Sequence, residues 1–491
     1  MASSNPKIYN TLSNKKEVLR PLRGKKINLF VCGPTVYDLS HIGHARTYII
    51  FDCFSKYLKH FGFRVFYLQN ITNIDDKIIA RAREKKVLPK DLAEVFSKEY
   101  FKEMKKLGIT SVTKYAKATD YIKEIINQIK RLLDKSYAYQ LDDGIYYNID
   151  KFKNYGKLSG RTALQAEDAV SRIDYSRHKK NRGDFCLWKF STQEEPSWPS
   201  QFGRGRPGWH IEDTAITEKL FGTKYDIHGG ARDLIFPHHE AEIAQMEAIS
   251  GKRPMVKYWM HTGFLTSKGQ KMSKSLNNFI TINDFLKRYS FRYLRFWIAK
   301  NLWRAPIDYS ESAIIEAKSS IERIEEFIRK IHLVKSSRSE VSRKAGQFNR
   351  VKKLKQDFYR NLKDDFNTPK AFAVIFNFIK KTNKLLENNT VSKKQADETR
   401  APNLGARPST KNDFSAQVYK FFEEINKIFD IIDFKKLKQS NIPNEVKKLL
   451  KERESQRNLG NWKKSDEIRV EIEKYGYEIE DTKDGTVVKK K

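Results

Sequence analysis

Residues 27–68 read INLFVCGPTVYDLSHIGHARTYIIFDCFSKYLKHFGFRVFYL, and the pattern within this stretch predicts the fold. An apolar run from Ile27 to Cys32 ends at a Gly-Pro pair, as a buried strand does where it enters a turn. Apolar residues then recur at helical spacing from Ile50 to Phe61, and a second apolar run follows from Arg64 to Leu68. Strand, helix and strand within about 45 residues predict a parallel βαβ unit, and such sheets bind ligands beyond the carboxyl ends of their strands.

The composition indicates a globular protein of several domains. The chain has 491 residues, more than one compact core accommodates, and 39% of them are hydrophobic and 12% aromatic, which excludes general disorder. Lys and Arg number 95 against 60 Asp and Glu, which leaves a formal charge of +35. This charge favours a nucleic-acid partner, but a Lys-rich solvated surface explains it equally well, so the charge by itself decides nothing.

The cysteine content and the length of the apolar segments indicate the cellular compartment of the protein. Cys32, Cys53 and Cys186 are widely spaced and odd in number, unlike a secreted disulfide framework, so a reducing compartment is expected. The amino terminus carries no apolar leader, and nowhere do about eighteen apolar residues follow one another. We therefore expect a cytoplasmic protein without a membrane partner. Cys53 and Cys186 lie among apolar residues and are expected to be packing residues.

The succession of patterns predicts an α/β catalytic domain that is interrupted once and followed by helical parts. A Rossmann-like, doubly wound parallel sheet is split by an insertion with hairpin signals, and a helical bundle and a small α+β unit follow. The expected boundaries are 1–115 and 207–281 for the two halves of the catalytic domain, 116–206 for the connective insertion, 282–345 for a helical region, 346–435 for the helical bundle and 436–491 for the small unit.

Shorter patterns predict individual elements within these domains. Residues Ser392 to Asn412 contain Pro, Gly and polar residues without periodicity, which predicts a flexible loop. The last unit is expected to give two helices and a hairpin that turns at Asp484-Gly485. Further expected elements are a helix at Tyr121–Leu133 and strands at Trp209–Ile211, Tyr225–Ile227 and Tyr258–His261.

His41-Ile42-Gly43-His44 lies where the loop after the first strand becomes a helix. Its amides and two imidazoles are expected to face the space beyond the sheet, where imidazoles can hydrogen-bond phosphate oxygens and developing negative charge. Gly43 lets an adenine base or a ribose approach the backbone closely. Four such residues on their own are weak evidence for a nucleotide site.

Lys271-Met272-Ser273-Lys274-Ser275 follows a polar, glycine-containing stretch that is expected to be mobile. Two ammonium groups on such a loop can close over a triphosphate and stabilise a pentavalent phosphorus, because phosphoryl chemistry depends mostly on positioning and charge stabilisation. The alternative is a solvated basic loop, which has equal weight in a Lys-rich chain when this stretch is considered alone.

The two signatures, in this order and on an α/β background, resemble those of class I aminoacyl-tRNA synthetases. Other stretches resemble the cysteinyl-tRNA synthetase family within that class, and the resemblance runs from about Ile27 to the carboxyl terminus. These stretches are Cys32-Gly33-Pro34-Thr35-Val36-Tyr37-Asp38, Asn70-Ile71-Thr72-Asn73-Ile74-Asp75-Asp76-Lys77, Gly208-Trp209-His210-Ile211-Glu212, Phe236-Pro237-His238-His239-Glu240 and Asp365-Phe366-Asn367-Thr368-Pro369.

The resemblance implies a reaction in two steps. L-cysteine and ATP, with Mg²⁺, give cysteinyl adenylate and pyrophosphate, and the terminal ribose of tRNA(Cys) then takes the acyl group. His41 and His44 would stabilise the nucleotide, and Lys271 and Lys274 would stabilise the leaving pyrophosphate. These four side chains are therefore the expected catalytic residues, and with Gly43 they form the expected ATP site.

The resemblance also implies binding roles for positions outside the two signatures. Gly230 and Asp233 match the ribose-binding stretch of the family. Their residue types suit that role, since glycines admit the nucleoside and a carboxylate can bond its hydroxyls. Thr72, Trp209 and His210 match positions near the amino-acid pocket of the family. The alternative for these three residues is ordinary packing at strand ends and in the core.

Two positions in the last unit match the part of the family that binds the anticodon. Trp462 would stack on a base and Asp481 would make a polar contact with one. The alternative for Trp462 is a place in the core. The helical bundle is expected to bind tRNA as well.

His238 and Glu242 indicate a metal site, because they are four residues apart on a predicted helix and so share one face. Cys32, at the carboxyl end of the first strand, can complete it. The family holds one zinc ion with two cysteines, a histidine and a glutamate, and this ion binds the substrate thiolate and selects cysteine over serine. Three of these positions match, but Asp213 stands where the family has its second cysteine.

Two interpretations of Asp213 stay open. As a ligand it keeps the charge of the site but leaves one thiolate instead of two, so zinc is expected to bind more weakly and oxygen-preferring ions to compete better. As a cap of the following helix its carboxylate would accept backbone amides, and the metal site would be three-coordinate or lost.

Two rival functions also stay open. A cysteine ligase with the same core could acylate an amino sugar, but it would not need the unit from Asn444 to Lys491. A catalytically inactive, tRNA-binding paralogue would not need intact signature histidines and lysines. The sequence identifies no general base, and a monomer is the expected oligomeric state.

Overall fold

The computed structural model describes most of the chain. The described residues are 5–161, 178–272, 279–336, 345–396, 414–439, 443–482 and 485–490. Among them, every helix is too short or too polar to cross a membrane.

The strands form one central sheet and several smaller sheets. In chain order the strands are β1 (Lys7–Asn10), β2 (Lys15–Val18), β3 (Lys26–Val31), β4 (Arg64–Ile71), β5 (Lys114–Lys117), β6 (Ala138–Leu141), β7 (Gly144–Tyr147), β8 (Phe185–Phe190), β9 (Gly205–Pro207), β10 (Tyr225–Ala231), β11 (Val256–Thr262), β12 (Leu265–Ser267), β13 (Gln270–Lys271), β14 (Ile307–Tyr309), β15 (Tyr477–Thr482) and β16 (Gly485–Lys490).

The helices lie between these strands in the first part of the chain and dominate the later part. In chain order they are α1 (Ile42–His60), α2 (Asp76–Lys85), α3 (Pro89–Lys106), α4 (Ile122–Asp134), α5 (Ile211–Phe221), α6 (Glu240–Ser250), α7 (Ile282–Arg288), α8 (Phe291–Ala299), α9 (Glu311–Ser336), α10 (Ala345–Lys363), α11 (Thr368–Ala396), α12 (Phe414–Phe429), α13 (Phe434–Gln439), α14 (Asn444–Asn458) and α15 (Trp462–Lys474).

The central sheet is parallel, with the strand order β11-β10-β3-β4-β5. The chain builds outward from β3 through β4 and β5, and later returns to the other side of β3 with β10 and β11. The order therefore reverses between β3 and β10, and the crevice at the carboxyl ends of these two strands is where such a sheet binds ligands. The predicted βαβ unit (β3, α1, β4) and the predicted Rossmann-like, doubly wound sheet are confirmed.

Helix α1 is buried along most of its length, including two charged residues. Asp52 is fully buried and pairs with Arg295 of α8, whose Nη2 lies 2.7 Å from the Asp52 Oδ2. Cys53 lies in the same buried contact, as its packing role predicted. Removing one partner of a buried ion pair costs about 3–5 kcal/mol, so this pair ties α8 firmly to α1.

The insertion forms an antiparallel sheet of its own, with the order β6-β7-β8-β9. It lies in the chain between β5 and β10 and so interrupts the central sheet, as predicted. The helix predicted at Tyr121–Leu133 and the hairpin around Asp143-Gly144 are both confirmed. Cys186, on β8, is buried, in agreement with its predicted packing role.

The prediction of a strand at Trp209–Ile211 is wrong. The strand is β9, which ends at Pro207, and helix α5 begins at Ile211. A short apolar run does not distinguish a strand from the start of a buried helix. The acidic residues Glu212 and Asp213 in the first turn of α5 are the signal that favours the helix, because the helix dipole stabilises negative charge there. The strands predicted at Tyr225–Ile227 and Tyr258–His261 are confirmed within β10 and β11.

The chain divides into two compact units. The first is Met1–Lys318, Lys353–Asn377 and Glu424–Asp430, and the second is Ser319–Lys352, Phe378–Glu423 and Ile431–Lys491. The finer domain boundaries expected from the sequence stay a prediction. The prediction of a loop from Ser392 is wrong for its first five residues, because α11 continues to Ala396. These residues, Ser-Lys-Lys-Gln-Ala, include good helix formers, and the rest of the predicted loop lies outside the described residues.

The carboxyl-terminal segment has its own small core. Helices α14 and α15 and the antiparallel strands β15 and β16 form it, which confirms the predicted two helices and hairpin. Its buried residues are Val446, Ile468, Ile472, Tyr477 and Ile479.

Candidate active site and metal centre

The first signature forms the start of α1. His41 caps the helix: its Nδ1 accepts the Gly43 amide at 3.0 Å, and the Nδ1 of His44 accepts the His41 amide at 3.3 Å. The two ring centroids are 4.0 Å apart, and Phe279 contacts the His41 ring edge-on. Both imidazoles are thus held at the helix N-terminus, as predicted, by hydrogen bonds within the signature itself.

These hydrogen bonds determine where the imidazole protons lie. Because Nδ1 of each ring accepts an amide, the neutral form of each ring carries its proton on Nε2 and can donate it. Burial lowers the pKa of His44 to about 4, so this ring is neutral at pH 7. His44 can therefore donate a hydrogen bond to a phosphate oxygen without adding charge.

Two glycines near the signature have no room for a side chain. A Cβ on Gly43 would lie 2.6 Å from the Nδ1 of His41, so glycine leaves space for the capping ring as well as for an approaching nucleoside. A Cβ on Gly33 would lie 1.7 Å from the carbonyl oxygen of Asn70. The loop after β3 therefore runs directly against the end of β4.

The second signature begins at the end of a short hairpin. Strands β12 and β13 pair through Thr266 and Lys271, and β12 also pairs in parallel with β14. Lys268 and Gly269 form the turn with positive φ angles. Ser273, Lys274 and Ser275 lie outside the described residues. The predicted contact of two ammonium groups with a triphosphate therefore stays a prediction.

The four predicted metal ligands come from separate elements and meet beyond the carboxyl end of β3. Cys32 directly follows β3, and Asp213 lies in the first turn of α5. His238 lies in an irregular turn, residues 235–239, and Glu242 lies in the first turn of α6. All four side chains are buried.

The donor atoms of these four residues are close enough to share one ion. The Asp213 Oδ2 lies 3.4 Å from the Cys32 Sγ and 3.0 Å from the His238 Nε2, and the His238 Nε2 lies 3.4 Å from the Glu242 Oε1. One ligand atom of each residue lies within 4.8 Å of those of the others. Ligands around a tetrahedral zinc ion are separated by about 3.3–3.8 Å, given zinc–ligand distances of about 2.0–2.3 Å.

The cluster contains buried acceptors that the protein does not satisfy. Both carboxylate oxygens of Glu242 and the Oδ1 of Asp213 have no hydrogen-bond partner among the described residues. Burial, with the nearby Asp213 and Glu242 carboxylates, raises the pKa of Cys32. Burial, with Asp213 and Glu212, raises the pKa of Glu242. A divalent cation would supply the missing positive charge, so the residues present fit a metal ion.

The capping interpretation of Asp213 does not agree with this geometry. A cap would accept amides of the first turn of α5. Instead the Oδ2 contacts the Cys32 thiol and the His238 ring, and the Oδ1 accepts no hydrogen bond from the described residues.

Two further histidines lie against the same thiol. The Cys32 Sγ is 3.4 Å from the His228 Nε2 and 3.1 Å from the His239 Nε2, and with Glu242 these residues form a second possible donor set. The Glu242 Oε1 is 3.9 Å from the His239 Nε2, and the nitrogen of His228 that faces Glu242, at 3.6 Å, also contacts the Tyr225 hydroxyl. The set with Asp213 and His238 is therefore the more compact one.

The predicted pocket residues lie beside this cluster. Trp209 stacks on the His238 ring with centroids 4.4 Å apart, and the His210 Nδ1 lies 2.8 Å from the His238 Nδ1. The Thr72 hydroxyl donates to Glu212, the neighbour of Asp213. All three predicted residues thus contact a ligand or the residue next to one.

The predicted ribose-binding residues lie at and just after the carboxyl end of β10. A Cβ on Gly230 would lie 2.8 Å from the His239 ring, so glycine is required for the close approach of that histidine. Asp233 is exposed, in the short turn that follows β10. The structure therefore brings Gly230 to the cluster and leaves Asp233 at the surface of the crevice.

The two predicted anticodon residues differ in their surroundings. Trp462, the first residue of α15, is 60% exposed, which excludes the core alternative. The guanidinium of Arg457 lies 5.4 Å from its ring centroid. The Asp481 carboxylate is engaged within the protein: it accepts two hydrogen bonds from Arg453, at 2.8 and 3.0 Å, and others from Arg457 and Thr486.

The sequence prediction missed three buried residues of the site. They are His228, His239 and Glu212, of which the first two contact the Cys32 thiol and the third binds Thr72 and Asn70. Glu212 and His228 directly follow predicted strands, and His239 follows a predicted ligand, so all three stand in polar stretches that the sequence singled out. A polar residue there gives no indication of which neighbour it will face.

Comparison with known proteins agrees with this fold. Residues 18–319 match the family described as tRNA synthetases class I (C) catalytic domain, and residues 357–402 match the DALR domain. The fold is similar to that of Mycobacterium tuberculosis methionyl-tRNA synthetase in complex with methionyl-adenylate, with a TM-score of 0.61 at 13% identity over 82% of this chain and 90% of that one. The protein is therefore a class I aminoacyl-tRNA synthetase.

Two curated relatives narrow the class. The chain is 41% identical over 497 residues to the Cysteine--tRNA ligase of Methanococcus maripaludis strain C7, and 40% identical over 493 residues to that of Thermococcus gammatolerans. Each match covers 99% of this chain and 99% of the relative. The chain belongs to the cysteine--tRNA ligase family, which confirms the resemblance seen in its motifs.

Proposed function

We infer that the protein activates L-cysteine with ATP and transfers it to tRNA(Cys). The main support is the position of two groups of residues. The histidine signature and the Cys32 cluster both follow β3, where the strand order of the sheet reverses. The full-length match to cysteine--tRNA ligases supports it. No observation favours the amino-sugar ligase or the inactive paralogue.

On the nucleotide side, we assign His41 and His44 as hydrogen-bond donors to the phosphates of ATP, with His44 in its neutral form. In the first step a cysteine carboxylate oxygen bonds to the α-phosphorus, the bond from that phosphorus to the bridging oxygen breaks, and pyrophosphate leaves. Lys271 and Lys274, together with Mg²⁺, would neutralise the negative charge that develops on the leaving pyrophosphate. Gly230 and Asp233 would hold the ribose, since both lie at the carboxyl end of β10.

On the amino-acid side, we propose one zinc ion held by Cys32, Asp213, His238 and Glu242. The unsatisfied oxygens of Glu242 and Asp213 support this assignment. A zinc ion bound there would favour a thiolate ligand over a hydroxyl, which is the difference between cysteine and serine. With one thiolate ligand the site is harder than one with two, so weaker zinc binding is expected.

The walls of the amino-acid pocket are assigned to three residues. Trp209 covers the His238 ring, and His210 orients that ring through its Nδ1. Thr72 is held by Glu212 next to Asp213. A substrate side chain that reaches the cluster would therefore pass these groups before it contacts a ligand.

On the tRNA side, we assign base recognition to Trp462. Its exposed indole can stack on an unpaired base. Asp481 holds Arg453 and Arg457, so we propose that it acts on the RNA through the partly exposed guanidinium of Arg457 as well as by any direct contact. The net charge of +35 agrees with a polyanionic partner.

The decisive experiment measures the two steps separately. Cysteine-dependent exchange of labelled pyrophosphate into ATP tests activation, and acylation of unfractionated tRNA tests transfer. The proposed enzyme passes both assays, the amino-sugar ligase passes only the first, and the paralogue passes neither. We propose that the reaction takes place in the cytoplasm, where tRNA is used. The monomeric state stays a prediction that sedimentation would test.

A further inference from the structure

Arg46 is a buried cation whose partners among the described residues are all backbone carbonyls. The side chain lies on α1, two residues after His44, and is 2% exposed. It donates to the carbonyl oxygens of Phe264, Trp303 and Ala305. Among the described residues no carboxylate lies within ion-pair distance of it. Burial lowers the pKa of Arg46 to about 10, so the group stays charged at neutral pH.

The three carbonyls belong to the base of the sheet that carries the second signature. Phe264 directly precedes β12, which pairs with β13 and so with Lys271. Trp303 and Ala305 lie in the loop that leads into β14, the other neighbour of β12. One guanidinium on the helix of the first signature therefore joins both strands that support the second.

At the junction between α1 and the segments that lead into β12 and β14, the backbones of these two segments approach each other closely. A Cβ on Gly263 would lie 2.3 Å from the carbonyl oxygen of Ala305, so only glycine permits the arrangement. The Gly263 amide donates to the Trp303 carbonyl at 3.1 Å. Beside them, the Thr47 and Thr262 hydroxyls are 2.9 Å apart. The junction is thus a compact set of contacts around one charged side chain.

The chain returns to the same helix start after the second signature. The Ile42 amide donates to the Ile280 carbonyl at 3.0 Å, and the Ile282 amide donates to the Ser40 carbonyl at 2.9 Å. The described residues on both sides of the second signature are therefore attached to residues 40–47. The distance between the two signatures depends on these two attachments.

The chemistry of the contact indicates why arginine is used. A buried charge without a carboxylate is costly, so packing alone would favour an apolar residue of similar size. The planar guanidinium has five donors in a fixed arrangement, and three separate carbonyls use that arrangement here. A lysine offers donors from only one nitrogen and cannot reach three carbonyls in the same geometry.

We propose that Arg46 is a positioning residue of the ATP site, which holds the hairpin ending at Lys271 in register with His41 and His44. This inference rests on the proposed function, because it assigns both signatures to ATP. Arg46 touches no reacting atom; it acts through the backbone of the segments that lead into β12 and β14. Its loss should therefore impair the ATP-dependent step and leave the amino-acid side of the site intact.

The test uses Arg46→Lys and Arg46→Met in the full chain, with Gly263→Ala as an independent change at the same junction. Arg295→Lys is the matched control, because Arg295 is also a fully buried cation on carbonyls and contacts the same helix through Asp52. Pyrophosphate exchange gives kcat and the KM for ATP and for cysteine. Metal content and thermal unfolding are measured on the same samples.

The expected result is a selective defect. A displacement of about 1 Å between the signatures lowers kcat about 100-fold. We therefore expect kcat to fall about 10-fold in Arg46→Lys and about 100-fold in Arg46→Met. The KM for cysteine and the metal content should stay within about 2-fold of wild type. Gly263→Ala should show the same selective pattern, whereas Arg295→Lys should lower the melting temperature without changing kcat for the folded protein.

Three results would overturn the inference: unchanged exchange in the Arg46 variants, a change of more than about 2-fold in their KM for cysteine, or the same kinetic defect in Arg295→Lys. If Arg46→Met does not fold, Arg46→Lys and Gly263→Ala decide the question. A wild-type protein without cysteine-dependent exchange would instead refute the proposed function, so the two failures are distinguishable.

Discussion

The Asp213 carboxylate and the Cys32 thiol are in direct contact, with 3.4 Å between Oδ2 and Sγ, and both groups are buried. This contact puts an oxygen donor where the family has a second sulfur. Asp213→Cys should therefore raise the affinity for zinc by at least about 10-fold, because two thiolates make the site softer. Competition with a chromophoric chelator measures that affinity under reducing conditions.

Asp213→Asn is the matched control, since it keeps the shape and removes the charge. It should lower zinc content below that of wild type. Discrimination of cysteine over serine in pyrophosphate exchange should follow zinc occupancy in both variants. Unchanged affinity and unchanged discrimination in both would show that Asp213 is not a ligand.

The His44 ring is held neutral, and this has a consequence for the pH profile. Its Nδ1 accepts the His41 amide, and burial lowers the pKa of His44 to about 4. His44→Ala removes the Nε2–H donor and should lower kcat of exchange about 100-fold. The ratio of wild-type to variant kcat should be the same at pH 6 and pH 8, because the ring does not titrate between these values. A ratio that changes through pH 6.5 would contradict a neutral donor.

Trp462 should affect the second step only. Trp462→Ala removes an exposed ring that we expect to stack on a base, a contact worth about 1–3 kcal/mol. The kcat/KM for tRNA should fall about 5- to 150-fold, while pyrophosphate exchange stays unchanged. Aminoacylation at varied tRNA concentration measures this. An equal loss in exchange would point to damage elsewhere in the protein.

Asp481 should behave differently from Trp462, because its carboxylate holds Arg453 and Arg457. Neighbouring guanidinium groups lower the pKa of Asp481, so the carboxylate is ionised at every working pH. Asp481→Asn should weaken tRNA binding and also increase proteolysis of the terminal unit, since buried Arg453 loses its charge partner. Wild-type protease resistance with weaker tRNA binding would indicate direct contact with the RNA.

His261 is expected to make stability depend on pH. Burial lowers the pKa of His261 to about 3, and its two ring nitrogens contact His239 and Thr11, each at 2.8 Å. The folded state therefore binds fewer protons than the unfolded state below pH 6.5, and stability is lost as the pH falls. At pH 5.5 the neutral His261 should lower the free energy of unfolding by about 1.4 kcal/mol.

The comparison with His261→Gln isolates this contribution. The difference in unfolding free energy between wild type and variant should shrink by about 1.4 kcal/mol from pH 7.5 to pH 5.5. Urea unfolding at both pH values, followed by the fluorescence of the first unit, measures it. A difference that does not depend on pH would show that His261 is not buried in its neutral form.

Much of the fold follows from local patterns. The apolar run before Gly33 and the helical spacing after His44 predicted β3, α1 and β4, because buried strands and helices impose their own periods on the chain. Where one short run fits two structures, local pattern fails, as at Trp209–Ile211. There the first turn of a helix and a short strand look alike until the neighbouring sheet is known.

The candidate site was predictable to the extent that its residues stand in recognisable motifs. His41, His44, Cys32, His238 and Glu242 could be named from spacing and resemblance. The positions of Glu212, His228 and His239 could not, because each depends on which side chain from a distant element fills the adjoining space.

The sequence by itself determined the class of fold, the two signatures and the substitution of Asp213 for a cysteine, since these are properties of short segments. Only the tertiary structure decided that Asp213 faces Cys32 and His238 instead of capping its helix, and that Arg46 joins the two signatures. The physical reason is that contacts between residues about 200 positions apart depend on how the strands of a sheet are ordered. The local spacing of apolar residues carries no information about that order.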